Sequence, residues 1–217
     1  DIDALKKAIT PKTKAIVPVH LFGLCANMEA VMSMAKEHNL FVIEDTAQAI
    51  GANYTFADGR KQKVGTIGHV GTTSFFPSKN LGCYGDGGAI FTNDDELAHT
   101  IRGMVNHGMY KRYYHDVVGV NSRLDSIQAA VLKTKLPLLD QYCDARRDAA
   151  RYYNNAFAQN PNISTPTTTS NATPICGEIC DSCDCHVFHQ YTLKITNGKR
   201  NELHQHLLDK GIPNAIY

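Results

Sequence analysis

Near the start of the chain two short apolar runs, AIVPVH (15–20) and LFVIED (40–45), flank a stretch in which Met28, Val31, Met32 and Ala35 recur at helical spacing. Asn27 stands where a side chain can cap that helix. Strand, helix, strand with short joints is the βαβ unit. Its parallel strands are buried on both faces and so read as continuous apolar blocks, not as alternating ones. An α/β fold is therefore expected. The pattern continues with a polar, hairpin-like stretch around Asp58-Gly59 (54–64), a strand TTSFF (72–76), a Gly-rich turn, a strand GAIFT (88–92) and a helix from its cap Asp94 to Asn106.

After Gly119 the character changes. SRLDSIQAAVLKTKL and LLDQYCDARRDAARYYNNAFA form long helical patterns broken at Pro137, a pairing that often links two domains. The expected division is a large domain over 1–144 and the beginning of a smaller α/β domain over 145–217. Within the latter, 159–185 is a Cys-rich loop without apolar periodicity, VFHQYTLKI (187–195) alternates like a half-exposed strand, and a helix over 198–210 ends at Gly211. No internal repeat is present. The 217 residues begin without Met and stop at an apolar segment, GIPNAIY, which reads as a fragment cut at both ends.

Composition narrows the partners. Lys+Arg 22 against Asp+Glu 21 leaves a net charge of +1, with no basic block to hold nucleic acid and no apolar run of about 18 residues to cross a membrane. Neither a secretory nor a transit pattern opens the chain, so the cytoplasm is the default location. Of the seven Cys, Cys25, Cys83 and Cys143 stand singly beside apolar or Gly-rich segments and read as reduced core thiols. Cys176, Cys180, Cys183 and Cys185, followed by His186, offer thiols for zinc or an iron–sulfur cluster. They lack the paired C-x2-C knuckles of such sites, and a reduced, exposed loop or an oxidisable patch without metal is the favoured account.

Open α/β sheets gather ligands at the carboxyl ends of their strands. Asp45 ends LFVIED and His20 ends AIVPVH, so the two are expected to converge on one crevice. TTSFF leads into Pro77-Ser78-Lys79-Asn80-Leu81-Gly82. A lysine held in a short, Pro- and Gly-bounded loop behind a buried strand is poised for Schiff-base chemistry, and an acid at a neighbouring strand end suits the pyridine nitrogen of pyridoxal phosphate. Read singly, Asp45 is more simply a solvated strand cap and Lys79 an ordinary surface lysine. Gly85-Asp86-Gly87-Gly88 fits neither G-x-G-x-x-G nor a P-loop and reads as a tight turn into GAIFT.

Several longer motifs in order sharpen this. EDTAQAIGA (44–52), GTTSFFPSKNLGCYGDGGAIFTND (71–94), NHG (106–108), RYYHD (112–116) and GVNSRLDSIQAA (119–130) closely resemble the DegT/DnrJ/EryC1/StrS family of pyridoxal-phosphate-dependent sugar aminotransferases. The resemblance runs from about Lys14 to Phe157 and resumes at His186. It implies the aspartate-aminotransferase type I fold, truncated here, with Lys79 as the Schiff-base lysine that later shuttles the proton. It further implies Asp45 on the pyridinium nitrogen, Gln48 against the ring or its 3-hydroxyl, Ser74 on the phosphate and His20 near the ring. Asn121 resembles the residue that a neighbouring subunit supplies to the phosphate, which implies a homodimer with a shared active site; Asn121-Ser122 would also serve as a helix N-cap. Arg123, His107 and His115 are the candidates on the substrate side. The Cys loop departs from the family pattern without touching these motifs.

The implied reaction moves an amino group from L-glutamate to a nucleotide-linked keto-sugar. The branch most similar in wording aminates UDP-2-acetamido-3-keto-glucuronate on the way to surface polysaccharide such as lipopolysaccharide O-antigen. Two alternatives stand beside it. One is the family's pyridoxamine-dependent sugar dehydratase, in which the lysine is typically His; the other is a non-catalytic, metal-binding scaffold built around the Cys loop.

Overall fold

A computed structural model describes residues 1–167 and 184–217, together with the backbone of two short strands at 169–170 and 173–174. The chain opens on α1 (Ile2–Ala8), capped by Asp1, whose carboxylate accepts the Ala4 N–H at 3.0 Å. The expected βαβ unit follows as β1 (Ala15–Ile16), α2 (Met28–Glu37) and β2 (Phe41–Asp45). Asn27 caps α2, accepting from Ala30 N–H at 3.1 Å. β1 is shorter than its apolar run because Pro18 has no N–H to give the ladder. Its carbonyl still accepts from Asp45 N–H at 2.9 Å, and His20 N–H donates to Asp45 O at 3.1 Å, so the run stays beside β2 to its end.

β3 (Asn53–Thr55) and β4 (Lys61–Lys63) form the expected hairpin. β5 (Val70–Ser74) and β6 (Gly88–Phe91) complete a four-stranded sheet of order β1-β2-β5-β6, parallel except for β6. Phe75 and Phe76 leave the sheet, so the fifth strand ends two residues before TTSFF does. Then come α3 (Asp95–Val105), the hairpin β7 (Met109–Lys111) and β8 (Tyr114–His115), α4 (Ser126–Lys135) and α5 (Leu139–Phe157). A 3-10 turn at Leu136–Leu138, holding Pro137, makes the expected break between the last two helices. α4 begins five residues after Asn121, which instead bridges Asn106; Asn121-Ser122 is not its cap.

The remaining elements are β9 (Ile163–Ser164), β10 (Thr169–Ser170), β11 (Thr173–Pro174), β12 (Lys194–Ile195) and α6 (Arg200–Asp209), with Gly211 past its end at φ +72°. β9 pairs with β12 and β10 with β11. Of VFHQYTLKI only the end is strand. Val187 and Phe188 are both buried where alternation would expose one, and the backbone turns at Phe188 (φ +42°). The amides go elsewhere, Val187 N–H to Gly23 O at 3.0 Å and Gln190 N–H to Phe22 O at 3.3 Å.

One face of the sheet is well packed. Ile16, Val42 and Phe75 meet Met28, Val31 and Ala35 of α2, Tyr54 of the hairpin, Leu132 of α4, and Leu139 and Cys143 of α5. The other face departs from the expectation for parallel strands: Val17, Val19, Phe41 and Ile90 remain 47–57% exposed, although the Phe41 ring meets His69 edge-on with centroids 5.3 Å apart. Gly71 of β5 lies where the backbone of Gly65 crosses; a Cβ there would sit 2.0 Å from Gly65 O, which excludes every side chain.

Cys25, Cys83 and Cys143 are buried; Cys185 is buried too, which corrects the exposed position expected of it, because its carbonyl accepts the Cys25 N–H at 3.1 Å and ties it to the core. Cys176, Cys180 and Cys183 lie outside the described residues. Among the described residues no group of three or more His, Cys, Asp or Glu is arranged to hold a metal, and no helix is long and apolar enough to cross a membrane.

Candidate active site

Side chains alternate across a strand, so the register fixes which groups can meet. Asp45 pairs with Thr72, and Ser74 follows two residues on; all three point to the open face at the carboxyl end of the sheet. Asp45 is oriented by its own turn, one carboxylate oxygen accepting the Ala47 N–H at 2.9 Å. Ser74 Oγ accepts the Phe76 N–H at 3.2 Å, which bends the chain out of β5 toward Lys79. The lysine sits half-buried in a turn closed by its own N–H on Phe76 O at 2.9 Å, and Lys135 of α4 braces the loop's end by donating to Gly82 O.

Gln48 lies just past Asp45. Its side-chain carbonyl accepts the Phe22 N–H at 2.6 Å, so the amide hydrogens are the donors that remain to the side chain. That bond steadies a strained turn, for Phe22 is a non-glycine residue at φ +59°. Gln190 N–H holds the same residue from the other side, and the Phe22 ring meets Tyr217 edge-on with centroids 5.5 Å apart.

His20 does not join this group, which corrects the expectation. It is fully buried and lies on the opposite face, with Glu44. Its Nδ1 accepts the Ala26 N–H at 3.0 Å, which puts the proton on Nε2, donated to Glu44 at 3.0 Å. With both nitrogens engaged it has none left for a ring cofactor. Glu44 also accepts N–H groups from Gly65 (2.8 Å), Ile67 (2.7 Å) and Gly68 (2.6 Å). Burial alone would raise its pKa, yet the His20 bond and the Gly68 and Gly65 amides hold it below its ordinary value.

Arg123 lines a cavity of about 960 Å³ between β6, α3 and the 122–124 segment, together with Asp86, Thr72 and Arg102. Asn121 is exposed on the approach to α4. His107 and His115 are exposed and held to one another, the His115 ring donating from Nδ1 to His107 O at 2.8 Å. Arg123 thus shares a cavity with Thr72, the sheet partner of Asp45, whereas the His115 ring bonds back to the His107 carbonyl.

Sequence reasoning missed a second group around the lysine. Asn80, buried, donates to Val187 O at 3.4 Å and accepts from His189 Nδ1 at 3.3 Å. Arg146 of α5 donates to the carbonyls of Phe188 (3.2 Å) and His189 (3.3 Å). Burial, with the Lys79 and Arg146 charges, lowers the His189 pKa to about 4. Nothing local could have signalled a pair 109 residues apart. Glu44 was within reach, since the alternation that aims Asp45 at the open face aims its neighbour at the core.

A model of the DegT/DnrJ/EryC1/StrS aminotransferase family matches residues 1–217. The chain is similar to a "pleiotropic regulatory protein" of Geobacillus stearothermophilus, 46% identical over 98% of this chain and 53% of the relative. It is 44% identical to a UDP-N-acetyl-3-dehydro-alpha-D-glucosamine 3-aminotransferase of Acidithiobacillus ferrooxidans over 100% of the chain and 53% of that enzyme. A UDP-2-acetamido-2-deoxy-3-oxo-D-glucuronate aminotransferase of Pseudomonas aeruginosa is 42% identical over 100% and 55%. Among solved structures, DesV of S. venezuelae in complex with a ketimine intermediate superposes with a TM-score of 0.82 at 42% identity, over 98% of this chain and 52% of that one. An E. coli GDP-4-keto-6-deoxy-D-mannose-3-dehydratase with bound hydrated PLP gives 0.81 at 25%, over 98% and 55%. The chain thus spans about half the length of the relatives it matches.

Proposed function

The chain belongs to the DegT/DnrJ/EryC1/StrS aminotransferase family, and from that premise we propose that it carries the lysine and much of the cofactor site of a sugar-nucleotide aminotransferase dependent on pyridoxal phosphate. The observation that carries the reading is the convergence of Asp45, Ser74 and the Lys79 loop at one end of one sheet face.

The donor set fits the cofactor: a carboxylate at the strand end for the pyridine nitrogen, a hydroxyl for the phosphate and a primary amine on a braced loop. The cofactor, when bound, supplies the electron sink. Asp45 would hold the proton on the ring nitrogen. Gln48, its carbonyl committed to Phe22, would donate to the ring oxygen, and Ser74 would bind phosphate. Lys79 would anchor the cofactor and, released, carry a proton between the substrate carbon and the cofactor as general base and then acid. His20 has no place in this set; with Glu44 it supports the sheet from beneath.

L-glutamate is the amino donor in this reading and a nucleotide-linked keto-sugar the acceptor, UDP-2-acetamido-3-keto-glucuronate being favoured by the two UDP-sugar relatives. The setting would be cytoplasmic synthesis of surface polysaccharide such as O-antigen. Asn121 and Arg123 would act in a homodimer, Asn121 across the interface, and His107 and His115 would lie toward the substrate. In this reading the large domain spans 1–144 and the smaller domain begins at 145, within α5. Lys79 speaks against the dehydratase alternative.

Incubating protein loaded with pyridoxal phosphate with L-glutamate should produce 2-oxoglutarate and pyridoxamine phosphate in equal amounts, and Lys79→Ala should abolish both. A wild-type protein that binds cofactor yet reacts with no amino donor would defeat the proposal.

A further inference from the structure

The inward face of α4 is not wholly apolar. Of its ten residues only Gln128, Val131, Leu132 and Lys135 are shielded from solvent to any extent, and they recur at the i, i+3, i+4, i+7 spacing of one helix stripe. Val131 and Leu132 pack on the core, as such a stripe should. The polar residues at its two ends must find partners or leave hydrogen-bonding groups stranded. Both find them in the backbone of the loop that bears Lys79.

That loop is closed at three places. Phe75 N–H donates to Gly87 O at 2.7 Å, Cys83 N–H to Phe75 O at 2.8 Å and Lys79 N–H to Phe76 O at 2.9 Å. Cys83 is thus a waist between a lobe holding the lysine and a second lobe running to Gly87. α4 grips the residue on each side of this waist: Lys135 Nζ donates to Gly82 O, and Gln128 Oε1 accepts the Tyr84 N–H at 2.7 Å. The fit leaves no slack. A Cβ on Gly82 would sit 2.4 Å from Pro77 O, and one on Gly85 would meet Gln128 Nε2 at 3.2 Å.

We propose that Gln128 and Lys135 are positioning residues for Lys79: by fixing both sides of Cys83 to one helix they set where the lysine amine stands at the carboxyl end of the sheet. The inference rests on reading Lys79 as the lysine that carries the cofactor, and it deepens that reading.

Three variants of the full chain test it. Gln128→Leu removes the acceptor at nearly equal volume, Gln128→Glu restores one, and Lys135→Met removes the other grip while keeping its stem. Hydrogen exchange of the cofactor-free protein reads the contact. The Tyr84 amide should exchange about fivefold faster in Gln128→Leu than in wild type, the factor that one ordinary hydrogen bond supplies, and near the wild-type rate in Gln128→Glu. Pyridoxal phosphate followed by borohydride then reads the lysine, as the rate at which Lys79 acquires a reduced pyridoxyl group relative to the exposed Lys36. That ratio should fall several-fold in Gln128→Leu and in Lys135→Met and return most of the way in Gln128→Glu; a merely structural role would not be rescued by the acid. Tyr84 exchange in Gln128→Leu within about twofold of wild type would overturn the proposal. So would an unchanged labelling ratio in either Gln128→Leu or Lys135→Met, or a Glu variant no better than Leu. A wild type that acquires no pyridoxyl group at Lys79 defeats the functional reading and the positioning role with it, while faster Tyr84 exchange still establishes the contact.

Discussion

At Glu44 one carboxylate accepts from four donors: the His20 ring and the amides of Gly65, Ile67 and Gly68. Glutamine in its place would turn an NH2 group toward two donors and strand them in a site sealed from water. Breaking a buried pair in this way costs about 3–5 kcal/mol. Glu44→Gln should lower the urea-unfolding free energy by about that much, and a loss below about 1 kcal/mol would show that the four bonds contribute little. The same residue sets an acid limit. Its folded pKa lies below the ordinary 4.5, so its stabilisation is complete above that value and drains as pH falls through the lower folded one. His186 adds to this from higher pH. It is buried against Phe188, its Nδ1 accepting the Phe188 N–H at 3.0 Å, and burial lowers its pKa from 6.5 to about 4. The unfolded chain takes up a proton that the folded chain refuses. Stability should therefore be full above 6.5 and decline toward about 4; urea midpoints measured across that window should fall with pH, and fall less steeply in His186→Phe.

At the level of elements, α3 shows how local signals suffice when partners are near in sequence. Asp94 accepts from the amides of Glu96 (2.9 Å) and Leu97 (3.0 Å), as its position ahead of the apolar pattern implied. Asp94→Ala should cost about 1 kcal/mol in urea unfolding, and Asp94→Asn much less; equal losses would mean that charge, not capping, is at work. α2, the hairpin about Gly59 and the break at Pro137 were legible for the same reason, since each rests on contacts within a few residues. His20 was misplaced because its strand end was visible but its face was not; facing depends on the register against β2, which leaves no local mark. VFHQYTLKI misled because Val187 is held by Gly23 and the lysine loop, elements more than a hundred residues away in sequence, and the backbone turns at Phe188.

For the whole molecule the decisive feature is the half-exposed sheet face. Val17, Val19, Phe41 and Ile90 form an apolar surface of the kind that recruits a covering partner or the dye ANS. The protein should enhance ANS fluorescence, and Val17→Lys together with Val19→Lys should reduce the enhancement while shifting stability by no more than about 0.5 kcal/mol each. Unchanged dye binding would place the apolar site elsewhere. The relatives run to about twice this length. Continuous apolar strands such as LFVIED read as buried on both faces because burial on both faces is what that composition is suited to.

β6 has one further property. Among the described residues it is bonded to β5 on one side only, through the pairs Gly71–Phe91 to Ser74–Gly88. Its amides therefore divide into two alternating sets, one locked against β5 and one turned outward. In deuterated water the locked set exchanges slowly and the outward set fast. A strand laid along Gly88–Phe91, whatever its source, would slow the fast set and leave the other unchanged. Four consecutive residues thus form a built-in gauge of assembly that can be read amide by amide, with neither substrate nor cofactor present.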